Sequence, residues 1–143
     1  HGALLYRLRH RPWHLFRESN MTTGSCLCVS CRFDTSATPQ GPSMCHCSQC
    51  RAQSGGVRSS AYVKRTDLHI TGPVKWFASS SNARRGFCPE CGSFLFWEAL
   101  DEDTTSFSLG SINNPTGIEL EKHIFTASKG DYYDIADSLP QKE

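Results

Sequence analysis

A chain of 143 residues is enough for one compact domain and short for two. Hydrophobic residues at 38%, charged residues at 20% and a formal net charge of +1 are the values of an ordinary soluble protein. No apolar run approaches the ~20 residues that a membrane span needs, and nothing resembles a secretory signal, so no membrane partner is expected.

The first twenty residues stand apart. Four arginines (Arg7, Arg9, Arg11, Arg17) face Glu18 alone, a net +3 that leaves −2 for the chain from Met21 onward. The sequence begins at His1, and Met21 opens "MTTGSCLC", a natural translation start. Residues 1–20 are therefore read as an expression scar or translated upstream sequence. A native extension and an Arg-rich organelle-targeting leader are the alternatives, and Pro12 interrupts any amphipathic helix there. Residues 21–143 are the domain. Without the leading segment no basic patch remains, so nucleic acid is not an expected partner.

From Met21 the predicted elements are short strands, at 26–33, 43–46, 59–64, 68–71, 74–78, 83–87, 93–98, 105–111 and 123–127. They are rich in Phe, Val, Trp, Ile and Thr. Turn signals part them, among them "PQGP" at 39–42, "TGP" at 71–73 and "NNP" at 113–115. One short helix is predicted over 48–54. The stretch 132–142 reads as extended, with Tyr132, Tyr133, Ile135 and Leu139 to lie against the body. The fold class is mainly β, a single domain with short helical turns.

Eight cysteines are set into this pattern, in knuckles of the form C-x-C, C-x-C-x-x-C and C-x-x-C. Neighbours this close seldom pair as disulfides, whose geometry is demanding, and a reducing compartment, the cytoplasm, is the expected home. Metal ligation is the better reading. In an extended segment residues two apart share a face, so Cys26 and Cys28 face one way and Cys31 the other. In "FCPECGS" the sulfurs of Cys88 and Cys91 converge, with Gly92 permitting the tight backbone. The two pairs supply a closed four-thiolate site with sulfurs ~2.3 Å from zinc, which stitches residue 26 to residue 91 and supplies folding free energy.

The stretch "CHCSQC" is different in kind. Cys45 and Cys47 share a face, and the chain turns through Ser48 and Gln49 to return Cys50 to the same ion. Three thiolates leave one tetrahedral position free, the pattern of catalytic zinc, and soft sulfur ligands favour zinc over magnesium or calcium. His46 is expected to face away as a packed residue, with ligation the alternative. Cys31 is expected to be a buried reduced thiol, or else a fourth ligand that closes the site. A redox use of Cys47 and Cys50 lacks its βαβ setting.

The ordered set "GSCLC", "CHCSQCRAQSGG", "FCPECGSFLFWE", "LGSINNP" and "HIF…YYDIADSLPQ" resembles the glutathione-dependent formaldehyde-activating enzyme family, which also takes in centromere protein V. The resemblance runs from about Gly24 to Gln141. It implies a zinc-bearing β-tent fold with two zinc ions per chain, a structural one on Cys26, Cys28, Cys88 and Cys91 and a catalytic one on Cys45, Cys47 and Cys50. The implied activity is that of a carbon–sulfur lyase, typified by adding glutathione to formaldehyde to give S-hydroxymethylglutathione. The sequence departs from the family's pattern at Val29, where glycine is common, at Cys31, and at Ala52, where a second basic residue often follows Arg51.

Arg51 is the candidate to meet a carboxylate of the thiol substrate, an exposed charge being the plain alternative. Ser48 and Gln49 are candidate hydrogen-bond donors to the thiolates, and Gly55-Gly56 a turn near the site. His69 and His123 read as strand-packing residues, and Phe94, Phe96 and Trp97 as core packing without a substrate role. The rival to the lyase is a non-catalytic zinc module that binds another protein, which a fourth protein ligand at the second site would favour.

Overall fold

The computed structural model describes residues 21–143. Residues 1–20, on which the expected scar or leader falls, lie outside the described residues.

Among the described residues ten short strands are laid into two sheets. Strands β1 (Thr22–Ser25), β2 (Arg32–Thr35) and β5 (His69–Thr71) form an antiparallel sheet in the order β1-β2-β5. The larger sheet has β3 (Gln40–Cys45), β4 (Arg58–Lys64), β6 (Lys75–Ser80), β7 (Ala83–Phe87), β8 (Phe94–Ala99), β9 (Thr104–Ser108) and β10 (Lys122–Ile124), in the order β10-β3-β4-β9-β8-β7-β6. All its pairings are antiparallel except β10 on β3. The mainly β class expected from the sequence is what the chain adopts.

Period-two burial explains the seam between the sheets. Along β4, Ala61 and Val63 are buried while Tyr62 and Lys64 face outward; along β9, Thr105 and Phe107 are buried. Phe33 of β2 reaches across to Phe96 of β8, edge to face at 5.4 Å, and to Phe107 at 5.3 Å. Burial of each ring contributes roughly 2–3 kcal/mol. Cys26, Cys31 and Cys88 join the same core, so the first sulfur cluster sits at the edge of the hydrophobic seam.

Three expected elements differ. Residues 26–33 are not one strand: β1 and β2 pair as a hairpin, and Cys26–Cys31 is its loop, closed by Cys26 N–H to the Cys31 carbonyl at 3.0 Å and Val29 N–H to the Cys26 carbonyl at 3.1 Å. Val29 stands there at φ +68°. Strand β1 gives no strand signal in the sequence because "TTGS" is short and carries no large apolar residue. The predicted strand 105–111 stops at Ser108 and tightens into a 3-10 turn, Leu109–Ser111, and 123–127 stops at Ile124, with Phe125 left-handed at φ +53° before the turn Thr126–Ser128.

The helix α1 (Ser48–Ser54) lies where expected. The tail returns to the body along β10: His123 N–H donates to the Pro140 carbonyl and Lys142 N–H to the His123 carbonyl, both at 2.9 Å.

Candidate metal centres

The sulfurs of Cys26, Cys28, Cys88 and Cys91 all lie within 4.8 Å of one another. Two hairpin knuckles bring them together, and the expected face-sharing of a strand plays no part on the Cys26 side. The loop folds over itself through Val29, while Gly92 at φ +78° makes the matching turn after Cys91. Gly72 lets the strands close up, since a Cβ there would stand 2.0 Å from the Ser30 carbonyl oxygen.

Cys26 and Cys28 are 3.6 Å apart and Cys28 and Cys88 3.7 Å. A tetrahedron with sulfurs ~2.3 Å from its centre has edges of about 3.8 Å, so the donor set fits a metal ion of zinc's size and softness. Polar groups surround the sulfurs: Ser30 Oγ is 2.9 Å from Cys28 and 3.3 Å from Cys88, and Ser93 Oγ is 3.2 Å from Cys91. The Cys91 thiol is drawn down to about 5, first by the Ser93 hydroxyl, and the Cys88 thiol to about 7, first by Ser30. Cys31 has its thiol turned into the core, fully buried and pushed up to about 12 by desolvation. It belongs to neither sulfur group.

The second group is Cys45, Cys47 and Cys50, again within 4.8 Å of one another. Cys45 ends β3 and Cys50 lies in the first turn of α1. Cys47 is the helix N-cap, and its Sγ accepts from Cys50 N–H at 3.3 Å. Buried Cys45 and Cys50 are a coupled pair: the Cys45 thiol is pushed up by its hydrogen bond to Cys50, while Cys50 is drawn down to about 5 by that bond and then by Arg85. No fourth His, Cys, Asp or Glu joins the group among the described residues.

The three cysteines open onto a cavity of about 500 Å³. Tyr62, Trp97 and Phe125 stand in its lining, together with Arg58, Arg85 and Lys122. Arg85 Nη1 is 3.6 Å from Cys50 Sγ and donates to Gln53 Oε1 at 3.2 Å. Arg58 donates to the Ser106 hydroxyl at 2.9 Å. Both guanidiniums stand over the Phe94 ring, at 4.3 Å for Arg58 and 5.4 Å for Arg85, a polar use of a ring expected only to pack. Arg58 is drawn down to about 10 by burial, opposed by the Cys50 thiolate, and stays charged at neutral pH.

A sequence model of the glutathione-dependent formaldehyde-activating enzyme matches residues 21–128. The chain belongs to that family. A crystal structure of a Rhodobacter sphaeroides protein shares the fold of this family member, with a TM-score of 0.53 at 18% identity, over 64% of this chain and 88% of that one. No curated protein matches the sequence.

Other expected residues of this formaldehyde-activating family member take up different duties. Arg51 does not line the cavity; its Nε donates to the Ser128 carbonyl at 3.0 Å. The Gln49 amide donates to the Ser79 carbonyl at 3.3 Å. His69 is exposed on β5, 3.4 Å from the Asp34 carboxylate across the sheet. His46 turns away from the sulfurs, as expected, but into a hydrogen-bonded chain that the sequence did not disclose. Its Nδ1 meets the Tyr133 hydroxyl, its Nε2 is 2.9 Å from His123 Nδ1, and His123 Nε2 is 2.9 Å from Asp137 Oδ2. Tyr133 and Asp137 lie beyond the matched segment. Arg85 was detectable: Arg84 and Arg85 are adjacent in a predicted strand, so their side chains point to opposite faces and one had to enter the interior.

Proposed function

We propose that this protein is a zinc-dependent carbon–sulfur lyase that makes and breaks adducts of glutathione, or a similar thiol, with small aldehydes such as formaldehyde. One observation carries it: three sulfurs converge at the head of a sizeable cavity without a fourth protein ligand among the described residues. A purely structural centre has no use for an incomplete ligand set. The protein-binding module loses its main support, because His46, the nearest candidate to close the set, is engaged with Tyr133 and His123.

In this reading Cys45, Cys47 and Cys50 hold the catalytic zinc and Cys26, Cys28, Cys88 and Cys91 the structural one. Bound zinc supplies acidification of a thiol at the free position, so that the sulfur nucleophile exists near neutral pH. Arg85 and Arg58 offset the negative charge of the three thiolates. Tyr62, Trp97 and Phe125 give the reacting carbon an apolar wall. Arg51 fixes α1 to the turn at Ser128 and so holds the loop of Cys47 and Cys50. Thiolates of this kind require reducing conditions, so the cytoplasm is the setting that goes with this reading.

Exchange-sensitive NMR of glutathione and formaldehyde, with and without the metal-loaded protein, measures adduct formation against the spontaneous reaction. Faster exchange that disappears on Cys47→Ser supports the reading. Exchange at the spontaneous rate with both sites loaded would overturn it.

A further inference from the structure

Two guanidiniums are buried beside the three cysteines without a carboxylate to meet them. Arg58 is 6% exposed and Arg85 5%, and among the described residues neither is ion-paired. Arg65 and Arg84, by contrast, share Glu98. Arg85 Nε is buried and has no hydrogen-bond partner among the described residues. Lys122 adds a third cation to the cavity lining, which holds no Asp or Glu among the described residues. The three sulfurs offset only part of this charge once they share a divalent ion, and buried cations short of counter-charge are costly, so the lining suits something anionic.

The charges say how much. Three cations and a divalent ion outweigh three thiolates by two positive charges. A simple thiol bound as its thiolate cancels one of them. A thiol that also carries a carboxylate cancels both. Position agrees with charge: Arg85 Nη1 is 3.6 Å from Cys50 Sγ, so its planar fork lies beside the sulfur cluster, within reach of an acid group a few bonds from an incoming sulfur. Such a fork meets a carboxylate with two parallel hydrogen bonds.

We infer that Arg85, with Arg58 over the same Phe94 ring and Lys122 at the wall, is a carboxylate-recognition site, and that among the thiols of the proposed function the cavity selects a small mercapto-acid with its carboxylate two or three carbons from the sulfur, nearer than either carboxylate of glutathione. The inference rests on the three-cysteine centre accepting a thiol. It assigns substrate selection to Arg85 and Lys122, 35 or more positions from the cysteine motif in sequence.

The test compares two ligands on one unaltered protein. With cobalt in place of zinc, visible absorption reports binding of 3-mercaptopropionate and of its neutral amide, 3-mercaptopropionamide. The acid is expected to bind about tenfold more tightly, the scale of one charge-assisted contact. Any difference in thiol acidity works against it, because a neighbouring carboxylate makes a thiol harder to ionise. Arg85→Gln should bring the two ligands within about twofold of each other. Equal affinities on the unaltered protein overturn the carboxylate site and leave the thiol-accepting centre standing. If neither ligand moves the cobalt bands, both readings fall.

Discussion

His46 Nε2 and His123 Nδ1 lie 2.9 Å apart, joining the loop of the three cysteines to β10. The ends of the chain fix its direction. The Asp137 carboxylate accepts from His123 Nε2–H; in the tautomers that need no charged ring, His123 Nδ1 accepts from His46 Nε2–H, and His46 Nδ1 accepts from the Tyr133 hydroxyl. Every donor and acceptor is satisfied with both imidazoles neutral. Asp137→Ala removes the group that sets this direction. It should weaken the three-cysteine centre's hold on its ion by about tenfold, the usual scale for a partner that orients a metal loop, and leave the four-cysteine centre unchanged. Chelator competition, which titrates the two ions separately, measures both.

The same chain sets a pH dependence. His46 is held below its ordinary value by burial and then by the neighbouring His123. The folded protein resists its protonation, while the unfolded chain takes up a proton at the ordinary value of about 6.5. Below that pH the unfolded state binds more protons, so stability is lost on acidification. The urea midpoint should fall between about pH 7 and about pH 5.5, and fall less steeply in His46→Gln. Metal content followed at each pH separates this effect from loss of an ion.

Replacing one sulfur in each centre should have unlike effects. Cys88→Ser breaks the cluster that joins the two knuckles, and a structural zinc is worth about 10–16 kcal/mol of folding free energy, more than a typical domain's net stability. It should leave the chain unfolded by circular dichroism. Cys47→Ser should keep the fold and lose thiol-dependent exchange. Equal damage from the two substitutions would refute the division into structural and catalytic sites.

Val29 is a β-branched residue in the left-handed region, at φ +68° on an exposed loop. A side chain there costs of order 1–2 kcal/mol. Val29→Gly should raise stability by about 1 kcal/mol in denaturant unfolding with metal present. The family's common glycine at this position has the same physical reason.

Glu98 is 2% exposed and takes ion pairs from Arg84 at 2.7 Å and Arg65 at 3.1 Å, with the Thr105 hydroxyl donating as well. Both arginines are 40% exposed, and water screens their share. Glu98→Gln should therefore cost about 2 kcal/mol, below the range for a fully buried pair, in a thermal or urea melt.

The cysteine spacing made both sulfur groups legible, since knuckle sequences bring their own sulfurs together whatever the rest of the fold does. The helix over 48–54 and most of the larger sheet were legible too, from β-branched and aromatic runs cut by Gly and Pro. The hairpin at Cys26–Cys31 was not, because a valine in the left-handed region gives no turn signal. Neither was the meeting of Arg85, itself detectable as an inward arginine, with the cysteines, nor the Tyr133–His46–His123–Asp137 chain. Each depends on residues 14 to 87 positions apart, and strand order alone decides that they meet.

Cys28 and Cys88 touch across 60 positions of sequence, and within that span lie all three cysteines of the other centre. On the proposed assignment, an ion on the first group closes a long loop around the second, so loading of the two centres is coupled. A cell short of metal would then lose the reactive site through the scaffold as well as through its own ion.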